Sequence, residues 1–504
     1  MHYLGHYLYE YIKIGKFTLW MALAIAFLFA IRFFKKKFQF KLKSRTVFII
    51  ICAVGLLLRL GWLSYSGHEP KSAWAQGAGG LNGGIMENDI INIHAAEIRE
   101  GKWFLDENGA PSARRPIGYP IALGFLYKAF GVHAPVAWAF HLILYLLTLW
   151  IIYKMALLMF DEQIGLISAF LFAINPISIY SIKLITDEHL FLMLWYGGLL
   201  LLFYDIHRGK LKAGWVWYGI IFGVAAMTRT YAIFMPVIVG VAYWAKNHNW
   251  KKAIASFLLV LVMMQIVNLP WLMRNYKAFG VPVVYAIASH SLYYSTNPSA
   301  TPESDGHPSI GQPGYSSDFA AAVAVGDQGL AQKYANQAIV RWIVNSPLVF
   351  FDLGTSKVLY FMHWGKRKGV WPLFYQFLDG HYDAARKIPE KIMKSLKEYA
   401  FFFYYLVFHF FIFASIYIGF YGRRRIPREN RICIGIVWAC MACWLLMHMI
   451  IMPDPKYRLP LEPLMAIFAS YLIAVITQNK KKEQPASERS FSAKLSGQVK
   501  HENH

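Results

Sequence analysis

The sequence predicts an all-α polytopic membrane protein, with about 11 transmembrane helices and two large extracytoplasmic loops. Three observations carry this. Apolar residues make up 57% of the 504 and charged residues only 16%, where a soluble chain carries about a quarter charged. The deficit is concentrated in repeated apolar runs of roughly 20 residues, the length that crosses a bilayer as a helix. The strongly basic clusters between those runs fall on one side of an alternating path, as the positive-inside rule requires of cytoplasmic loops. Lipid cannot satisfy free backbone groups, so such runs are helical. Phe, Trp and Tyr reach 17%, enough for many interfacial anchors.

Residues 1–65 hold the N-terminal transmembrane helices. Phe17 to Phe34 is the first run, and Lys35, Lys36, Lys37, Lys41, Lys43 and Arg45 behind it mark a cytoplasmic loop. A second run, Val47 to Tyr65, leads outward. Residues 66–135 form the first extracytoplasmic loop, with a glycine-rich piece (Gly77 to Gly84), a helix from Asp89 to Gly101 and a short apolar helix, Ile117 to Phe130, read as lying on the membrane surface. Residues 136–269 form a transmembrane core, with runs near 136–157, 164–184, 188–204, 213–228, 230–245 and 253–269. Inside it the Asp161-Glu162 loop is inward and not basic, the one weak point of the alternation. Residues 270–398 form the second extracytoplasmic loop, a cap rich in Pro, Gly, Ser, Tyr and Asp. Residues 399–479 return to the membrane, with Arg423, Arg424, Arg425, Arg428 and Arg431 as an inward loop. The polar tail, 480–504, is expected to be disordered.

A net charge of +23 could point to nucleic acid, but it sits in short runs between apolar segments and no nucleic-acid-binding motif appears. Cys52, Cys433, Cys440 and Cys443 all lie in apolar runs, so they read as small packing residues and not as zinc or redox ligands. The N-terminus shows no cleavage pattern of a signal peptide. Membrane lipids are the expected surroundings, and a bacterial plasma (inner) membrane the expected location.

The residues with chemical potential gather on the outward side. Glu87 and Asp89 open a helix, where a carboxylate serves as base, as metal ligand or simply as a cap. Arg114 and Arg115 precede Pro116 and suit a lipid or substrate phosphate. Asp187 and Glu188 stand where two spans meet; acids so near hydrocarbon are costly and point to function, or to a solvated turn. Arg229 sits at a tight outward turn, where snorkelling is the bland alternative. Arg274 and Arg458 follow Trp271 and Tyr457. Tyr285, His290, Tyr293, Tyr294 and Asn297 in the second loop line a substrate pocket or pack a cap. The acids leave room for a divalent cation, although no ligand pattern stands out, and no other cofactor is expected.

The order of motifs adds a resemblance. The first loop reads ENDIINIHAAEIREGKWF and then ARRPIGYPIALGFLYKAFG; ITDEHLFL, MTRTYA, PWLMRNYKAFG and KYRLPLEP follow. From about Gly55 to Ala474 this series resembles the GT-C membrane glycosyltransferases of the protein O-mannosyltransferase and lipid A aminoarabinose transferase type. The resemblance implies a GT-C-like fold and transfer of a sugar from a polyprenyl-phosphate donor at the outer leaflet. It implies that Asp89, with Glu87 as alternate, is the catalytic base. It implies that Asp187 or Glu188 helps place acceptor or donor, and that Arg115, Arg229, Arg274 and Arg458 stand near the lipid phosphate. Two positions depart from the pattern. Asn92 stands where the family often has Tyr, and Ile117 where it has a second Pro.

The mechanism these expectations describe is a single inverting displacement on an acceptor hydroxyl of a glycolipid, polymer or protein. A lipid-linked glycan ligase or polymerase would share the donor chemistry and differ in product mass. A transporter or flippase would share the spans, but its acids belong near the midplane and its halves repeat; neither feature shows here.

Overall fold

The computed structural model describes residues 43–66, 87–105, 109, 111–113, 115–209, 211–282, 292–302, 306–325, 327–362, 390–422, 426–453 and 455–477. The expected first span, the glycine-rich piece and the C-terminal tail lie outside these residues. Among the described residues the chain is helical throughout, apart from one isolated bridge between Leu105 and Pro111. This is the all-α, polytopic architecture the apolar runs predict.

The helices are α1 (Ser44–Ser66), α2 (Glu87–Arg99), α3 (Gly118–Phe130), α4 (Ala134–Met159), α5 (Glu162–Ala173), α6 (Pro176–Tyr180), α7 (Glu188–Arg208), α8 (Leu211–Thr228), α9 (Met235–Asn247) and α10 (Trp250–Phe279). After them come α11 (Ser317–Ala324), α12 (Gln328–Asn345), α13 (Pro347–Met362), α14 (Glu390–Tyr417), α15 (Arg428–Met447) and α16 (Glu462–Thr477). By length and composition six described helices can cross a bilayer, or seven if α5 with α6 counts as one bent span. Helix α4 packs on α5 and α7, α8 on α7 and α10, α9 on α10, and α16 on α5 and α14. The core between them is apolar and aromatic.

Local chemistry fixes where the helices begin and end. Asp161 caps α5 by accepting from the Ile164 amide, a structural use for the inward acid that broke the charge pattern. The apolar run 164–184, expected as one span, breaks after Ala173. Pro176 cannot donate a backbone hydrogen bond, Asn175 restarts the helix by capping the Ser178 amide, and the axis bends by 51°. Arg59 of α1 serves this break. It is fully buried, donates to the carbonyl of Ala173 at 2.9 Å and the hydroxyl of Ser178 at 2.7 Å, and stacks on Tyr145 at 3.4 Å. The run expected at 230–245 begins as a 3-10 turn, Thr230–Phe234, and only α9 follows as α-helix.

Helix α10 continues through Pro270 to Phe279 and stops at Gly280, whose positive φ of 72° closes it. Its 30 residues span about 45 Å, so its last turns stand above a hydrocarbon layer of about 30 Å. Trp271 and Arg274 therefore sit on a helix and not in the second loop. In that loop, Tyr293 packs with Phe319, Ala331 and Ala335 in a small core of its own.

Candidate active site

The first outer loop folds back along the membrane bundle as α2 packed on α3. Gly124 makes this possible: a methyl there would meet Ile98 at 2.8 Å and the Ala95 carbonyl at 2.9 Å. Glu87 and Asp89 open α2; their side chains lie outside the described residues, as do Arg114, Tyr285 and His290. Ile91, one helical step further, shares a packed cluster with Tyr119, Leu123 and Leu190. From its second turn on, α2 thus shares a cluster with the first turn of α7, beside the acid pair. Asn92, which departs from the family pattern, accepts from the Tyr127 hydroxyl at 2.8 Å and ties α2 to α3.

The centre of the site is a buried ion cluster. Arg229 donates to Asp187 Oδ1 through Nε at 2.9 Å and Nη2 at 2.7 Å, and through Nη2 to Glu188 Oε1 as well. The planar fork of Arg suits such a contact. Asp187, just outside the apolar part of α7, is pushed up to about 6 by burial, and the Arg229 charge recovers only part of that shift. Arg115 acts on Asp187 electrostatically in the same downward sense. Burial works against the charge on Arg229, but the two acids outweigh it and hold the guanidinium protonated.

Aromatic and imidazole groups enclose this cluster. Arg229 lies 5.5 Å from the ring of Tyr457, and Tyr231 stacks on Trp444 at 4.1 Å. On the other side Tyr119 donates to His141 Nε2 at 2.5 Å while His141 Nδ1 donates to the Ile182 carbonyl. His189 follows Glu188 and stands 4.6 Å from His141. Gly118 begins α3 against the Arg229 turn: a Cβ there would meet Thr228 Oγ1 at 2.5 Å and the Thr228 amide at 3.0 Å. The RRPIG segment and the TRT turn are therefore in direct contact.

Other expected site residues go elsewhere. Arg458 is fully buried, donates to the Phe361 carbonyl at 3.0 Å, pairs with Glu462 at 3.4 Å and stacks on Tyr404 at 3.6 Å. Glu462 also accepts from Asn175 at 2.8 Å, so Arg458 belongs to a network that holds the break in the bent span. Arg274 donates to the carbonyls of Ser112 and Phe104, each at 2.9 Å. Tyr293 donates to the Gly314 carbonyl, and Asn297 donates to the carbonyls of Tyr293, Tyr294 and Gly306. Both are buried and pack the second loop from within. Arg115, Asp187, Glu188 and Arg229 are thus brought together; Arg274, Arg458, Tyr293 and Asn297 are not. Tyr119, Tyr231, His141 and Tyr457 are additions to the set, and the RRPIGYP, MTRTYA and KYRLP motifs already held three of them. Among the described residues no group of His, Cys, Asp and Glu could hold a metal ion.

The architecture is helical and polytopic, and a buried acid–arginine cluster stands at a junction of its spans. Residues 114–273 match the family model described as dolichyl-phosphate-mannose-protein mannosyltransferase, a stretch that runs from the RRPIG segment to Met273 and contains the whole ion cluster. The resemblance read from the motifs is borne out there. No curated protein matches the sequence. Among solved structures, the oligosaccharyltransferase AglB from Archaeoglobus fulgidus, in complex with an inhibitory peptide and a dolichol-phosphate, is 14% identical over 92% of this chain and 54% of its own, with a TM-score of 0.46. The A. fulgidus oligosaccharyltransferase tethered to an acceptor peptide is 12% identical over 89% of this chain and 53% of its own, at 0.45. ArnT from Cupriavidus metallidurans bound to undecaprenyl phosphate is 14% identical over 85% and 77%, at 0.39. The chain spans about half the length of the first two.

Proposed function

We propose that this protein transfers a sugar from a polyprenyl-phosphate donor to an acceptor hydroxyl on the extracytoplasmic face of the membrane. The observation that carries this reading is the buried cluster of Arg229 with Asp187 and Glu188, with Arg115 in electrostatic reach. Charges buried at the ends of spanning helices, beside hydrocarbon, are costly and are commonly kept for function. A cationic group held among acids at the end of spanning helices suits a substrate that arrives through lipid and leaves as an anion.

The step is a single displacement with inversion. The Asp89 carboxylate takes the proton of the acceptor hydroxyl as its oxygen bonds to the anomeric carbon. The bond from that carbon to the phosphate oxygen breaks, and polyprenyl phosphate departs with the electron pair. Arg115 and Arg229 stabilise the charge that develops on it, aimed donors in a dry site being worth far more than in water. Asp187 and Glu188 hold Arg229 in place and keep the site from carrying excess positive charge before the donor arrives. Glycolipid, surface polymer or protein all present the required hydroxyl.

The test uses the full-length chain in lipid vesicles with polyprenyl-phosphate-linked sugars and an envelope extract as acceptor source. Release of polyprenyl phosphate together with a covalently glycosylated product is expected from the wild type. It should fall by about 10²-fold or more in Asp89→Asn. Flux of intact donor across the vesicle with no new covalent product would contradict the reading.

A further inference from the structure

Near the end of α10, Arg274 makes contacts with backbone and not with an acid. Its guanidinium donates to the carbonyls of Phe104 and Ser112 at 2.9 Å, and to Asn275 at 2.8 Å, and it stacks over Trp271 at 4.8 Å. Among the described residues it has no carboxylate partner. The Phe104 carbonyl also accepts from the Ser112 amide at 2.7 Å, so both carbonyls that Arg274 binds belong to one small hairpin. Phe104 itself has φ +54°, a left-handed conformation that is an outlier for a bulky residue and persists only where surroundings enforce it. Its ring is buried between His94 at 4.9 Å and Trp271 at 5.1 Å. The hairpin is therefore held against α10 at a cost in backbone conformation.

What leaves this hairpin on either side leads to the site. Towards the N-terminus the chain is α2, whose opposite end is Asp89; Glu97 joins the two by accepting from His94 and from the Leu105 amide. Towards the C-terminus the chain runs from Ser112 to Gly118, with Ala113 and Ile117 packed in one cluster with Ile98, Phe104 and Trp271. This strap is fastened at Ser112 by Arg274 and at Gly118 by its close approach to Thr228. Arg115 lies midway between the two fastenings.

We propose that Arg274 is a positioning residue: by binding the Phe104 and Ser112 carbonyls it fixes both the strap that carries Arg115 to the acid pair and the helix that carries Asp89. It acts on the reaction through these elements and does not hold the donor phosphate. The proposal rests on the transferase reading for its effect on rate, while its structural half stands separately. The competing role is direct. A phosphate held by Arg274 would occupy the open depression of about 610 Å³ that it borders with Pro111, Pro270, Met273 and Lys277.

The experiment compares the wild type with Arg274→Gln, Arg274→Lys and Phe104→Gly, all full length, purified in detergent and checked for a monodisperse elution profile. Three quantities are read: binding of undecaprenyl phosphate alone, transfer rate at saturating donor, and hydrogen exchange of the 103–113 segment. In both Arg274 variants exchange is expected to rise about tenfold or more. Transfer should fall about tenfold to a hundredfold, with undecaprenyl phosphate affinity within about twofold of wild type. Lys should fare no better than Gln, because one ammonium cannot span two carbonyls as the guanidinium fork does. Phe104→Gly, which leaves Arg274 intact, should lower transfer in the same way, and it decides the matter if the Arg274 variants do not fold. The proposal is overturned if Arg274→Lys restores transfer, if affinity for undecaprenyl phosphate falls about tenfold, or if exchange of the hairpin is unchanged. A wild type that neither binds undecaprenyl phosphate nor transfers sugar removes the transferase reading, and the exchange result then decides the fastening alone.

Discussion

Arg229 has two acids to satisfy, and neither can be spared cheaply. Removing one partner of a buried ion pair costs about 3–5 kcal/mol, because the other charge is left uncompensated. Arg229→Met should therefore lower the thermal midpoint and abolish transfer, whereas Arg458→Met should lower the midpoint with much less effect on rate. Arg458 is met by Glu462 inside the protein, so the double variant Arg458→Met with Glu462→Leu should regain most of the lost stability. Thermal unfolding beside a transfer assay checks all three. Asp187 gives a pH prediction. Its carboxyl is pushed up to about 6 from 3.8, chiefly by burial. The folded protein therefore binds this proton more readily than the unfolded chain. The burial cost is fully present above about pH 6 and relieved as pH falls through 6 towards 3.8. The ion pair needs the carboxylate, so transfer should decline below about pH 6. A pH–rate profile of Asp187→Asn should lack that limb.

At the scale of elements, packing distances make the clearest predictions. Gly118 and Gly124 are the two places where α3 touches its neighbours too closely for a side chain. Gly124→Val should loosen α2 from α3 and cost about 1–3 kcal/mol by overpacking, read as a lower thermal midpoint. Gly118→Val pushes on Thr228, beside Arg229, and should lower transfer more than stability. The contrast between these two glycines shows what the sequence could and could not tell. Apolar runs revealed α1, α4, α7, α14 and α15, because lipid exposure leaves no other reading. The break at Asn175-Pro176 was hidden in a continuous apolar run, and its support by Arg59 and Glu462 comes from residues 119 and 287 positions away. Such long-range pairs leave no local periodicity. The acid pair and Arg229 were legible because charge beside hydrocarbon stands out against composition. The destinations of Arg274 and Arg458 were not, since an arginine that binds carbonyls reads the same in sequence as one that binds phosphate.

The whole molecule has two chemically different ends. Lys246 pairs with Glu429 at 2.6 Å, and Arg428 donates to the carbonyls of Ala245 and Lys246, which fastens two basic loops together at one end of the bundle. The ion cluster, the strap and the second loop lie at the other end, reached through α7, α8 and α10. Surface cysteines should follow this division. Ile310→Cys, in the exposed part of the second loop, should react with an impermeant maleimide from outside intact cells. A cysteine replacing Trp250, exposed at the start of α10, should react only after permeabilisation.

In the proposed reaction, base, acid pair and arginines converge around a lipid-borne phosphate. A cryo-EM structure of the full-length chain in a lipid nanodisc with undecaprenyl phosphate measures this most directly. Phosphate density is expected within hydrogen-bond reach of Arg115 or Arg229, with the Asp89 carboxylate facing the same space. Phosphate bound at Arg274 or Arg458 instead, or an Asp89 turned away behind α2, would contradict it.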